Sequence, residues 1–460
     1  MHSFRKVSKP GHFYANPSLA NGHLYLWDYV DKSAKIFPVL PEPSQQTIER
    51  VWPPGSLCSV HNVRIADVSM DPSQNLIAVA YHVYAGGNIH LRADDERFFI
   101  ELGTLDGDGV HPKAAGRTLF LSRLPGREYH RFWEERWKLQ IMGRHIAFRR
   151  SLLDDDCGII INDEVWSLHI WDWQHSTTTS SVLTGEAVLH NPDSSMDFCF
   201  LGKDRLLTVS DNLKLYSIED MSRAPQLLAC FLFPAPMTGL QCFLSLDDVV
   251  PSSQMQMQAK SAMWTSDPEN RLLCLVVSLH DLIFVISTRI FFDVDLFEGM
   301  TEAIPWTIWG PSNSRAFEHH WGVKIDVSGN RVVHSFPAGG MTDTRDPEFK
   351  LYMMDFSPST VERPHGLGRV ITKPSTTIIK IITQDDRDED LTLTTSLPYV
   401  RVASDRKFGP NELVDLWVEK DRIYLHKEKT HPYNVGPSRS SEKSSTLIFI
   451  QVDNFEVIEF

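Results

Sequence analysis

The chain has no segment that reads as a leader or a membrane span. Met1-His2-Ser3-Phe4-Arg5-Lys6 lacks the apolar core and cleavage site of a secretory signal. The most apolar window, Arg271 to Phe292, contains His280, Asp281 and Arg289, and reads as two strands turning at His280-Asp281. Cysteine is scarce. Cys58, Cys157, Cys199, Cys230, Cys242 and Cys274 show no CxxC spacing, which excludes a zinc ribbon or a disulfide framework and predicts free, buried thiols. No Asn-x-Ser/Thr acceptor with a permitted middle residue occurs. Together these features predict an intracellular protein, cytoplasmic or nuclear.

Positive charge is also in deficit. Lys and Arg number 45 against 59 Asp and Glu, a net charge of −14, which argues against nucleic acid or an anionic membrane as partner. The one basic, aromatic stretch, Arg123 to Arg150, is diluted by Glu128, Glu134 and Glu135. Acidic runs at Asp154-Asp155-Asp156 and Asp385 to Asp390 lack the spacing of a calcium loop and read as solvated loops. Helical periodicity is poor throughout; the best candidate, Glu128 to Gln140, is short and aromatic. No Pro- or Gly-rich linker marks a boundary, so residues 1–460 read as one domain. Inter-strand insertions are expected at Asp106 to Arg117, Asp343 to Glu348, Gln384 to Asp390 and His431 to Ser445.

Catalytic signatures are missing as well. There is no GxSxG elbow, HExxH, P-loop or GxGxxG. Gly366-Leu367-Gly368 reads as a turn, and His319 and His320, adjacent in a strand, point to opposite faces and do not share an ion. The expectation is no catalytic, cofactor or metal residue. Carboxylates and histidines converging on a ring axis from separate repeats would leave no local motif, so an enzyme of that kind is the alternative.

What the chain does have is repetition. Asp71-Pro72-Ser73-Gln74-Asn75 leads into Leu76 to Ala80, then Phe98 to Leu102. Gly202-Lys203-Asp204 leads into Arg205 to Val209, then Leu213 to Ile218. Ser266 to Asn270 leads into Leu272 to Val277, then Leu282 to Ile286. Val327 to Asn330 leads into Arg331 to His334, then Phe349 to Met354, and Asn411 to His426 is a further unit. The turns at Asn75, Gly143, Asp204, Asn270 and Asn330 recur roughly every 60 to 70 residues, long for a propeller blade of about 40 to 50. Dividing the chain by that period predicts an all-β propeller of about seven blades, six to eight being possible. Gly22 to Tyr29 and Leu447 to Val452 are expected to form one closing blade shared by both termini.

The tryptophans divide into two groups. Trp171 and Trp173 flank Asp172 in a strand, share a face, and are expected to pack between blades. Trp306, Trp309 and Trp321 surround a Gly-Pro turn, where surface aromatics serve as interface anchors; with Arg315 they are the candidate protein-binding loop.

The segment Ile304-Pro305-Trp306-Thr307-Ile308-Trp309-Gly310-Pro311-Ser312-Asn313-Ser314-Arg315 precedes His320-Trp321-Gly322 and the unit Gly329 to Val333. With Leu168-His169-Ile170-Trp171-Asp172-Trp173, the acidic Leu153 to Asp156 before it, Asp71 to Leu76 and Asn88 to Arg92, it resembles the basidiomycete F-box proteins that end in a WD-like propeller. The resemblance runs from about Trp52 to Val402. It implies the target-recognition part of an SCF-type ubiquitin ligase, with a protein target as partner. Met1 to Val51 shows no F-box pattern, so the ligase adaptor is expected to bind only through an F-box lying upstream. The chain is expected to be a monomer.

Overall fold

The computed structural model describes residues 7–8, 18–20, 23–28, 33–38, 48–51, 63–83, 97–107, 109–121, 132–154, 162–179, 181–189, 196–235, 240–244, 268–277, 281–293, 303–319, 323–338, 348–363, 368–382, 388–409, 413–419, 422–428 and 445–451. Their strands form seven antiparallel sheets that follow one another along the chain, with one extra hairpin. Blade 1 comprises Ser18–Ala20, His23–Asp28, Ser33–Pro38 and Ile48–Val51. Blade 2 comprises Val63–Asp71, Leu76–Val83, Arg97–Thr104 and Thr118–Phe120. Blade 3 holds Phe132–Met142, His145–Asp154, Asn162–Asp172 and Ser181–Leu189. Blade 4 holds Asp197–Phe200, Arg205–Val209, Asn212–Ser217 and Gln226–Leu232. Blade 5 is built from Leu240–Leu244, Leu272–Val277, Leu282–Ser287 and Ser314–Glu318. Blade 6 runs Ile325–Ser328, Arg331–Pro337, Phe349–Asp355 and Tyr399–Phe408, with Arg369–Ile371 added outside. Blade 7 orders Leu413–Glu419, Arg422–Glu428, Ser445–Gln451 and, outermost, Val7–Ser8.

First strands lie against one another between blades 2 and 3, 4 and 5, 5 and 6, and 6 and 7, and between blades 7 and 1, where the ring closes. The protein is therefore an all-β propeller, and among the described residues it has seven blades. The closing blade does join both termini, but through Val7–Ser8 pairing with Ser445–Gln451. Gly22 to Tyr29 is not part of it, because His23–Asp28 pairs on both sides within blade 1. The Asn411 to His426 unit supplies the closing blade's first two strands.

Side-chain alternation explains why the second strands read as unbroken apolar runs. Leu76, Ala78 and Ala80 pack with blade 3, whereas Ile77, Val79 and Tyr81 pack with Trp27 of blade 1. Leu272, Cys274 and Val276 face blade 6, and Leu273, Leu275 and Val277 face blade 4. A strand buried on both faces keeps no polar alternation. Each apolar cluster is thus a layer between two blades, so the core is a set of such layers. Trp171 and Trp173 are fully buried in the layer between blades 2 and 3.

The recurrent turns connect first to second strands. Asn75 (φ 59°) and Gly143 (φ 55°) occupy the left-handed region there, which glycine and asparagine tolerate best. The aromatic stretch weighed as a helix is instead a strand from Phe132 onward. Trp137, Leu139 and Ile141 face blade 2 while Met142 faces blade 4, a period of two that its charged residues obscured. Of the expected insertions, Asp106 to Arg117 falls between strands; Asp388 to Asp390 belong instead to the strand Asp388–Thr395, and 384–387, 343–347 and 431–444 lie outside the described residues.

Candidate functional site

The first strand of a blade has one edge facing the ring axis, and its amides there have no partner strand. A carboxylate from the preceding blade answers this need three times. Asp67 of blade 2 accepts the Leu139 N–H of blade 3 at 2.8 Å. Asp197 of blade 4 accepts the Cys242 N–H of blade 5 at 2.7 Å. Asp326 of blade 6 accepts the Val418 N–H of blade 7 at 2.6 Å. Each Asp sits between apolar residues just before its turn, as Ala66-Asp67-Val68, Met196-Asp197-Phe198 and Ile325-Asp326-Val327. That flanking pattern is the one local signal these residues carry in the sequence.

Lys138 extends the set from blade 3 to blade 4. Its Nζ donates to Asp197 Oδ1 at 2.7 Å and to the Phe198 carbonyl at 3.0 Å. Arg149 donates to the Met196 carbonyl and lies near both Asp67 and Asp197. Burial alone would raise Asp197, but Lys138, Arg149 and the Cys242 amide together hold it below the usual carboxylate range. At Asp67 burial outweighs the nearby charges of Lys138 and Arg149. It pushes the carboxyl up to about 6, with the Leu139 and Val68 amides only partly offsetting that.

Two buried histidines of blade 3 shift the opposite way. Burial pushes His145 and His169 down to about 4, helped by Arg144 and Arg150 respectively. The signs decide the acid behaviour. As pH falls from about 6.5, the unfolded chain protonates its histidines before the fold does, so stability drops. Asp67 acts against this, because between about 6 and 4 the fold takes up its proton first. Asp67→Asn should therefore lose melting temperature more steeply than the wild type between about pH 6 and pH 4. Parallel thermal scans across that window check this, and equal slopes would refute it.

The second assembly lies on the rim. Ile304 adds to the outer edge of blade 4, its N–H donating to the Cys230 carbonyl at 2.7 Å and its carbonyl accepting Leu232 N–H at 2.9 Å. A helix, Trp306–Asn313, then crosses to blade 5 in place of the expected turn. A hairpin inserted within blade 6, Ser375–Ile382 with Asp388–Thr395, covers it and brings Ile379 and Leu393 into the same core. The Pro311 carbonyl accepts the Ser396 N–H at 2.7 Å, and Thr395 Oγ1 accepts the Ala316 N–H at 3.0 Å.

This placement corrects the candidate binding loop. Trp306 is 7% exposed and Trp309 is 0% exposed, so neither indole is available to a partner. Trp309 Nε1 donates to the Leu232 carbonyl at 3.0 Å, and its ring meets Phe231 and Trp306 edge-to-face. Gly310 is required by packing, since a Cβ there would fall 2.2 Å from the Trp306 ring. Arg315 is also buried; it donates to the Lys373 carbonyl at 2.8 Å and lies over Tyr399. Trp321 lies outside the described residues. What this rim exposes instead is Ile308 on the helix, 49%, and Ile378 on the hairpin, 64%.

Among the described residues, no three His, Cys, Asp or Glu side chains gather where an ion would fit, and no helix is long and apolar enough to cross a membrane.

No family model and no curated protein matches the chain. Among solved structures it is similar to the WD40 domain of SCAP from fission yeast, at 7% identity over 98% of this chain and 95% of that one, TM-score 0.36. Apo AztD from Citrobacter koseri is 10% identical over 87% of this chain and 76% of that one, TM-score 0.32. Phage phi92 endosialidase is 8% identical over 98% of this chain and 69% of that one, TM-score 0.34. Likeness at these levels adds nothing to the strand order described above.

Proposed function

We propose that this propeller is a non-enzymatic protein-interaction platform, the target-recognition part of an F-box ubiquitin-ligase protein. The observation that supports it is the engagement of the axial carboxylates. Asp67, Asp197 and Asp326 each hold a backbone amide of the next blade, a structural use that leaves acid–base chemistry without its obvious groups. Binding then falls to rim and loop surfaces, where Ile308 and Ile378 stand exposed. The ligase assignment itself rests on the family resemblance of the Trp306 to Arg315 segment.

The test joins this chain to an F-box module and measures ubiquitin transfer in a reconstituted ligase. The fusion should modify proteins that the F-box module alone does not, and the unfused chain should leave purified adaptor unbound. A fusion that adds no target refutes the ligase reading.

One observation favours a second reading, an enzyme acting on a small molecule or glycan at the axis. A carboxyl at about 6, as for Asp67, suits a general acid near neutral pH. Turnover of glycosides or lactones that Asp67→Asn abolishes without unfolding would establish that reading and overturn the first.

A further inference from the structure

Blade 6 carries a fifth strand, and that strand sets two arginines against each other. Arg369–Ile371 pairs with Tyr399–Phe408 so that Arg369 lies opposite Arg401 and Ile371 opposite Tyr399. Cross-strand partners share a face, with Cβ atoms about 4.5 to 5.5 Å apart, and like charges so placed repel. Gly368 permits the close approach, since a Cβ there would fall 2.4 Å from Val400. No carboxylate relieves the repulsion. Among the described residues neither arginine has an ion pair, and Glu362 and Asp405, the nearest acids along the chain, make none with them. Asp355, whose register partner is Val400, lies on the other face and holds Arg331 at 3.3 Å. Arg369 is exposed; Arg401 is half-buried, its guanidinium over the Tyr352 ring at 5.4 Å from the centroid. Two residues before Arg401 on the same face, Tyr399 has the buried Arg315 over its ring at 5.3 Å. Burial pushes the Tyr399 phenol up, while Arg315, Arg401 and Arg369 draw it down, so three cations act on one spot. In a chain of net charge −14, such a cluster without an acid asks for an anion.

We propose that Arg369 and Arg401 form a binding site for a phosphate dianion, free or as the monoester group of a small molecule, at the outer edge of blade 6. Each guanidinium presents a fork of N–H donors, and a tetrahedral group has oxygens enough to meet both forks at once. A dianion also neutralises both charges, which a single carboxylate does not. Tyr352 holds the Arg401 guanidinium against its ring, and Arg315 adds its field from the buried side without touching the ligand. Without an anion the two facing charges repel, so the pair weakens the fold that carries it and is explained by binding rather than by stability. The site is independent of the ligase reading, since it uses neither the axial aspartates nor Ile308 and Ile378.

The experiment titrates the full chain in a calorimeter with inorganic phosphate, with phenyl phosphate and with acetate, at one ionic strength and about pH 7.5, where a monoester is a dianion. Saturable binding of phosphate is expected, and none of acetate. Binding of both phosphates shows that the free group suffices; binding of phenyl phosphate alone shows that the site takes the monoester of a larger molecule. Arg369→Gln and Arg401→Gln should each weaken binding by about tenfold or more, the value of one lost charge-assisted hydrogen bond. Because Arg369 is exposed, its variant leaves the core intact, and in phosphate-free buffer it should melt no lower than the wild type. A clear loss of melting temperature there would make Arg369 a structural residue and overturn the proposal. So would the absence of saturable binding by either phosphate, equal uptake of acetate, or wild-type affinity in either variant.

Discussion

Asp197→Ala should destabilise the protein by about 3 to 5 kcal/mol, the usual cost of leaving one member of a buried ion pair alone. Three groups lose their partner at once. The Lys138 ammonium, 29% exposed, loses its anion. The Cys242 N–H loses its acceptor on an edge with no strand to replace it, and so does the Phe198 N–H at 2.8 Å. Asp326→Ala offers the comparison. It removes the same kind of amide bond, to Val418, for which the cost is about 1 to 3 kcal/mol. Against a typical total of about 5 to 15 kcal/mol, the first change unfolds much of the protein in mild denaturant and the second does not. Urea titration of both variants checks the order. Equal midpoints would refute the larger loss expected of Asp197→Ala.

These staples mark the boundary between what the sequence disclosed and what it withheld. Repetition was legible because each second strand is buried on both faces. Leu76 to Ala80 and Leu272 to Val277 are therefore apolar without a break, and each is preceded by a tight turn. The ring was legible because such units have no other way to bury two faces. The axial aspartates were hidden for a physical reason. Asp67 and Leu139 are joined across 72 positions, and a lone aspartate in an apolar strand gives no local hint that its partner is an amide of another blade. The same distance blindness affected the termini. Val7–Ser8 is too short to read as a strand, and only its pairing with Leu447 and Thr446 makes it one.

The rim segment shows the converse error, in which a strong local pattern was read through the wrong geometry. Trp306, Gly310 and Pro311 look like a surface turn because glycine and proline usually punctuate loops. Here Gly310 serves close packing beneath the Trp306 ring, and the proline is inside the helix. The aromatic pair is covered by a hairpin that arrives from more than 60 residues downstream (Ser375 minus Trp306 is 69), which no local reading reveals.

Trp309→Ala should accordingly behave as a core truncation, costing about 3 to 5 kcal/mol. The indole is fully buried, packs on Phe231, Phe233 and Trp306, and fixes the helix to blade 4 through the Leu232 carbonyl. Its removal leaves a void where blades 4 and 5, the helix and the blade 6 hairpin meet, and leaves that carbonyl without its donor. Such a site collapses poorly, because strands on two sides are fixed by their own ladders. Ile308→Ser, one residue away, should change stability by less than about 0.5 kcal/mol, since its side chain is half exposed. The pair separates two roles that the sequence had merged. If Trp309→Ala melts like the wild type while target capture is lost, the indole is a binding anchor and the buried arrangement is wrong. If Ile308→Ser and Ile378→Ser fold normally and lose capture, the exposed apolar residues of the rim are the contact surface, and the tryptophans are what hold it in place.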